Sequence, residues 1–318
     1  MEKVKIIFDT DIGGDCDDAG ALAIVHQAQN AGKAELLAVT LSTGSPYAAG
    51  CADAINRYYG HVVPIGQTKT VPPGDDVSFY PQSYGRHICD TYENSYKKDG
   101  GDRPEDAVRL LRKVLANNTG DKITIIVIGC NINIAGLLLS GADDISPLTG
   151  TELVKQQVRL FSLMGCYFPT EEVPEIWFGD YNMRAEFNIK VDIKSAQTVF
   201  ELSPVPVAVS HYLIGREIRT GGILIKKDRK NPVAESYFVH SHGDRDSWDL
   251  VSAYYAVFGK GNIFTDSRVG VVSIADDGVS SFEKKAGGLH RLIDCPDCKK
   301  AEREIDEILT GNIPKSLL

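Results

Sequence analysis

The chain has 318 residues, 43% of them apolar and 24% charged, with a net charge of −9. That is the balance of an ordinary soluble globular protein, and its sign argues against nucleic acid or an anionic membrane as a partner while admitting a small neutral or cationic substrate. No apolar run approaches the ~20 residues that span a bilayer.

The first predicted strand, residues 3–8, runs into an acidic loop, Asp9-Thr10-Asp11-Ile12-Gly13-Gly14-Asp15-Cys16-Asp17-Asp18, with no Lys or Arg in it. Like charges at that density raise one another's pKa unless a cation neutralises them. A hard divalent ion is the simplest neutraliser, because Ca²⁺ and Mg²⁺ take shells of Asp and backbone oxygens. Gly13 and Gly14 let the backbone turn sharply enough to aim several carboxylates at one centre. N-capping and the helix dipole account for Asp17 or Asp18 but not for the whole set. The spacing is not that of an EF-hand, and a strand rather than a helix precedes it. A strand that begins this early leaves no room for a signal peptide, so the cytoplasm is the expected location; a trimmed secreted or periplasmic chain would look the same.

A helix is predicted over 17–31, a strand over 35–42, a helix over 46–59 with Pro46 in its first turn, and a short strand over 62–66. Residues 68–101 resist assignment and carry Tyr80, Tyr84, Tyr92 and Tyr96. A helix over 104–117 precedes an apolar strand over 122–128, which reads as buried on both faces. Helices over 133–140 and 149–156 and a strand over 157–164 follow. A second unassigned segment, 167–181, carries Phe168, Trp177, Phe178 and Tyr181. Long insertions of this kind are often lids, and aromatics in them can stack on a planar base or pin the loop to the core. The rest reads as a helix over 194–202, a strand over 205–209, a helix over 244–258, β-like pieces over 263–265, 269–273 and 290–294, and a helix over 299–309. This alternation predicts an α/β fold, an open, mostly parallel, Rossmann-like sheet with helices on both faces, as one domain over residues 1–318. Ligands of such folds bind outside the carboxyl ends of the strands. Seven Cys do not make a paired disulfide framework. Cys295-Pro296-Asp297-Cys298 lacks the second pair or His of a zinc site and reads as structural.

Three further segments join the acidic loop: Ile128-Gly129-Cys130-Asn131 at a strand end, Ala185-Glu186-Phe187-Asn188, and Ser247-Trp248-Asp249 opening an apolar helix. Together they resemble the inosine-uridine preferring nucleoside hydrolases, over residues 5–259. The resemblance implies a Rossmann-like fold, homodimers or homotetramers, and Ca²⁺-dependent hydrolysis of the N-glycosidic bond of ribonucleosides, with Mg²⁺ as the alternative ion. It implies that Asp11 is the general base and a metal ligand, and that Asp18, the Ile128 carbonyl and Asp249 complete the metal shell. Asp17, Glu186 and Asn188 are implied to meet the ribose hydroxyls.

Four departures stand out. Asp15 lies in a longer loop than is usual, with an open role. Ser45 takes a position often held by Asn, as a shorter polar contact. Asp180 stands where an Asn is expected, with Asn182 near enough to substitute. Trp248 replaces the His that helps to protonate the leaving base, and indole has no accessible acid proton. Trp248 could instead stack on a base. His87 is then a candidate acid; His240 and His242 are weaker ones, and His211 reads as structural. Two other readings are open. One is a metal-dependent nucleoside or sugar binder without catalysis, which Trp248 and Ser45 favour and Asp11 opposes. The other is a phosphatase of the haloacid dehalogenase type, which also ends a strand in Asp-x-Asp but places Thr or Val where Gly13 stands.

Overall fold

The computed structural model describes residues 3–97, 101–178 and 181–318, with nothing said of the side chains of 177, 178, 181 and 182. Its strands are β1 (Val4–Thr10), β2 (Ala34–Leu41), β3 (Ile65–Gln67), β4 (Glu105–Asp106), β5 (Ile123–Val127), β6 (Val158–Met164), β7 (Ile176–Phe178), β8 (Tyr181–Met183), β9 (Val207–Ser210), β10 (Arg219–Thr220), β11 (Arg245–Asp246), β12 (Thr265–Asp266), β13 (Gly270–Ile274), β14 (Ser280–Lys284) and β15 (His290–Asp294). The main sheet runs β14-β13-β15-β9-β6-β5-β1-β2-β3-β4, and β12 pairs with β15. Pairing is parallel from β15 through to β4 and antiparallel where β13 joins β14 and β15. The predicted mostly parallel sheet is therefore present, with an antiparallel edge that supplies β14, a strand not foreseen from the sequence.

Helices cover both faces: α1 (Asp17–Asn30), α2 (Ala48–Tyr58), α3 (Tyr84–Thr91), α4 (Ala107–Asn117), α5 (Ile132–Leu139), α6 (Gly150–Gln157), α7 (Phe187–Val191), α8 (Ile193–Leu202), α9 (Tyr212–Arg216), α10 (Gly222–Lys227), α11 (Pro232–His240), α12 (Trp248–Phe258) and α13 (Cys298–Leu309). Alternation along β1 divides the core. Ile6 and Phe8 pack with α1, α12 and α13, while Ile7 packs on the other face with α4, α5 and α8. A strand buried on both faces has no polar side to show, which is why β5 reads Ile-Thr-Ile-Ile-Val. Helices α1 and α12 are buried almost all round and pack on each other. A helix without a polar face belongs in the interior.

Several elements differ from expectation. The unassigned segment 68–101 contains α3, capped by Ser83, whose Oγ accepts from the Arg86 N–H at 3.4 Å. Helix α11 was missed although Asn231 caps it and Pro232 opens it. Helix α12 begins at Trp248 rather than 244, because Arg245 and Asp246 pair with β10. Segment 167–181 holds the first strand and part of the second of the β7–β8 hairpin. Among the described residues no helix is long and apolar enough to cross a membrane.

Candidate metal and sugar site

From β1 the chain builds the sheet outward through β2, β3 and β4, then returns to place β5 on the other side of β1. That reversal is a topological switch point, where loops leaving two adjacent strand ends diverge and open a crevice. The acidic loop leaves β1 there and residues 128–131 leave β5. A cavity of about 410 Å³ opens at this end and is lined by residues from both loops.

The acidic loop is fixed before any ligand arrives. Gly13 has φ +122°, a conformation that glycine adopts without a Cβ penalty. Its N–H donates to the Tyr84 hydroxyl at 3.0 Å and its carbonyl accepts from Gly85 at 3.2 Å, so α3 pins the turn. Thr10 Oγ1 donates to the Asp18 carboxylate and accepts from the Ile12 N–H at 3.1 Å. Asp17 and Asp18 stand on the first turn of α1, and Asp249 on the first turn of α12. The packing of these two helices brings one carboxylate oxygen of each of the three within 4.8 Å of the others. The Asp249 N–H donates to Asp17 Oδ2 at 3.1 Å and ties the two helix ends together.

Three buried carboxylates this close are not a stable arrangement on their own. Burial, and then the neighbouring acids, push Asp17, Asp18 and Asp249 well above the usual carboxylate range. Burial, followed by the charge of Asp75, raises Asp11 to about 7. Asp11 lines the same cavity and repels both Asp18 and Asp249. The donors are all oxygen, which suits a hard divalent ion. Ile128 lines the same cavity, and its carbonyl accepts from Asn188 Nδ2 at 3.0 Å, with a lone pair to spare. Asp11, Asp17, Asp18, Ile128 and Asp249 thus share one cavity lining, and of these Asp17, Asp18 and Asp249 form the close group.

The other expected sugar contacts lie around the same cavity, with roles the sequence did not reveal. Glu186 caps α7, accepting from the N–H groups of Asn188 at 3.0 Å and Ile189 at 3.2 Å, and burial raises it to about 7. Ser45 lines the cavity and its Oγ accepts from the Tyr47 N–H at 3.3 Å. Asn182 lies in β8, but its side chain, like all of Asp180, falls outside the described residues.

Asp15 also lines the cavity but has partners of its own. It accepts from Arg245 Nε at 3.0 Å and lies 3.3 Å from His240 Nε2. Burial opposes its charge, yet His240 and Arg245 hold the carboxyl well below the usual carboxylate range. Arg245 in turn lies over the Trp248 ring, 4.9 Å from its centroid. Trp248 stacks on Tyr212 at 5.4 Å and its Nε1 donates to the Tyr212 carbonyl at 2.9 Å.

His87, the first candidate acid, stands apart from the rest of the expected set. Helix α3 turns Tyr84 and Gly85 toward the acidic loop and His87 away from it, outside the cavity lining, with Nε2 3.1 Å from Glu235. His211 packs against Phe168, and burial lowers it to about 4; neither it nor His242 lines the cavity, whereas His240 does. The phosphatase reading also loses its footing, since it needs both acids of the Asp9-x-Asp11 pair at the ligand. Asp9 is fully buried beneath the loop and bonded by Asn133 Nδ2 at 3.0 Å. Sequence reasoning missed Asp75, which lines the cavity and accepts from Thr43 Oγ1 and the Gly44 N–H, each at 3.0 Å. The Asp75-Asp76 pair was a signal, hidden in a segment whose fold could not be read.

The sequence profile of the inosine-uridine preferring nucleoside hydrolase family matches residues 6–275. No curated protein matches the chain. Among solved structures, an inosine-uridine preferring nucleoside hydrolase from Bacillus anthracis is 14% identical, with 97% of this chain and 99% of that one covered at a TM-score of 0.70. A plant nucleoside hydrolase is 17% identical, with coverage of 96% and 99% and a TM-score of 0.66. The type III effector protein XopQ, solved with adenosine diphosphate ribose, is 13% identical, with coverage of 99% and 94% and a TM-score of 0.71.

Proposed function

Because the chain belongs to the inosine-uridine preferring nucleoside hydrolase family, we propose that it hydrolyses the N-glycosidic bond of a ribonucleoside or related riboside, with Asp11 as general base. The observation that carries this reading is the meeting of Asp17, Asp18 and Asp249 at the floor of a cavity that Asp11 also lines. Asp18, Asp249, Asp11 and the Ile128 carbonyl would hold the ion, Ca²⁺ or else Mg²⁺. When bound, such an ion supplies a seat for the ribose diol and lowers the pKa of water.

The protein's own residues do the rest. Asp17, Ser45, Glu186 and Asn188 orient the sugar, and Asn182 is proposed to join them. Asp11 takes the proton of the attacking water. Breaking the bond to the base builds positive charge on the ribosyl ring. The carboxylates of the floor stabilise that charge without reorganising. Trp248, held by Tyr212 and Arg245, forms an aromatic part of the cavity wall beside the base.

The test is ribose release from a panel of ribonucleosides, with Ca²⁺ and with chelator. Release that needs the ion, and a fall of roughly 10²–10⁴-fold in Asp11→Asn, the range for lost general base catalysis, is the expected result. Nucleoside binding without ribose release would instead favour a binder that has lost catalysis. The same reading carries a homodimer or homotetramer, measurable by sedimentation, and cytoplasmic purine or pyrimidine salvage.

A further inference from the structure

We infer that His240, braced by Asp15, is the group that protonates the leaving base. This assignment rests on the hydrolase reading above.

Loss of a neutral heterocycle as its anion is costly, so cleavage of such a bond calls for a proton donor beside the base. Trp248 is not one: its only N–H is engaged with the Tyr212 carbonyl and indole does not ionise as an acid in this range. His87 is turned away to Glu235. His240 lines the cavity, with its side chain a quarter exposed. Its Nε2 lies 3.3 Å from Asp15 Oδ1, and its Nδ1 has no protein partner among the described residues.

Among the described residues, four groups surround His240. Asp15 and the buried Cys16 thiol come from the acidic loop, each with a ligand atom within 4.8 Å of an imidazole nitrogen; Arg245 of β11 reaches it through Asp15, and Tyr84 of α3 meets the imidazole edge-on at 6.2 Å. Arg245 keeps Asp15 ionised, and the backbone N–H of Cys16 holds the same carboxylate at 2.7 Å. An ionised carboxylate so fixed orients an imidazole and steadies it when charged, as in other carboxylate–histidine pairs. The position also suits the chemistry: His240 lines the same cavity as Asp17 and Trp248. Arg245 bridges Asp15 to the face of Trp248, so the histidine stands next to the aromatic wall.

The step balances as follows. The C1′–N bond breaks and its electron pair goes to the base nitrogen. His240 gives its proton to the base, and water adds to C1′ as its own proton passes to Asp11. Asp11 then returns a proton to solvent and His240 regains one, for a net sum of riboside plus water giving ribose plus base.

The experiment compares two leaving groups on the Ca²⁺-loaded protein. Inosine and adenosine need a proton on the base, whereas 4-nitrophenyl β-D-ribofuranoside releases a phenolate that needs none. In His240→Gln and His240→Asn, kcat on the nucleosides is expected to fall ~10²-fold or more, the usual worth of a general acid, with a far smaller loss on the nitrophenyl riboside. The alkaline limb of the nucleoside pH–rate profile should vanish in the same variants, and Asp15→Asn should show the same selective loss in weaker form. Equal losses on both substrates in both His240 variants, or no loss on either, overturn the assignment. Wild-type protein that cleaves neither substrate with Ca²⁺ present overturns the hydrolase reading and this assignment with it.

Discussion

At the residue scale the site is a problem in charge. Asp17, Asp18 and Asp249 are buried with no cationic side chain reaching all three, and each makes the others costlier to ionise. Replacing one with a neutral isostere should therefore have opposite effects with and without the ion. Asp249→Asn is expected to raise the melting temperature of chelated protein at pH 7 to 8, because one buried repulsive charge is gone. It should also weaken Ca²⁺ binding by calorimetry at least ~10–100-fold, the loss seen when even an outer partner of a ligand is removed. A variant that melts lower in chelator and binds Ca²⁺ as before would contradict the cluster as a metal site. Asp17 and Asp18 were legible in the sequence because so dense a run of carboxylates, with no Lys or Arg inside it, is costly to fold unless a cation sits among them; Asp249, alone at the start of its helix, was reached only through the family resemblance. Asp75 and Arg245 were not legible, and His240 stood only as one of several candidate histidines. Nothing local in the sequence tells that Arg245 reaches Asp15, 230 positions away.

The element scale decides how closely the two loops of the switch point can approach. Gly129 follows Ile128 as the chain leaves β5. A Cβ there would stand 2.2 Å from Ser42 Oγ, 2.6 Å from the Asp11 backbone nitrogen and 2.9 Å from the Thr10 carbonyl carbon. Two of those three atoms are backbone and cannot swing aside. Gly129→Ala is therefore expected to cost ~1–3 kcal/mol in urea unfolding, as overpacking does. It should also lower turnover, since Asp11 is pushed off its place; a variant with unchanged stability and kcat would argue that the contact is slack. Strand and helix alternation was readable in β1, β2, β5 and β6, whose apolar runs leave no alternative. It failed where tertiary contact makes the element. Arg245 and Asp246 become strand only through β10, and α3 forms from a Tyr- and Gly-rich stretch of low intrinsic helicity because its cap and the acidic loop hold it.

For the whole molecule, the buried acids tie stability to pH. In the metal-free fold Asp11 and Glu186 are raised to about 7 from ordinary values of 3.8 and 4.5. Between those limits the folded chain holds protons that the unfolded chain has released, so stability falls as pH rises through the window. The contribution is fully present below about pH 4 and gone above about pH 7. The divalent ion proposed above would take over the compensation, and an ion that binds only the folded form adds RT ln(1 + [L]/Kd). Melting in chelator should thus fall from pH 5 to pH 8, and the upward shift caused by Ca²⁺ should widen over the same range. A Ca²⁺ shift that is constant or shrinks with pH would show that these acids do not face the ion.

The acid cluster is also split along the chain. Asp17 and Asp249, joined by one hydrogen bond, are 232 positions apart. A nascent polypeptide therefore leaves the ribosome carrying the acidic loop long before α12 exists to close over it. Through most of synthesis that loop is an open cluster of repelling charges, with no complete set of oxygens to offer an ion. The proposed ion would therefore be captured late, when the second helix end docks.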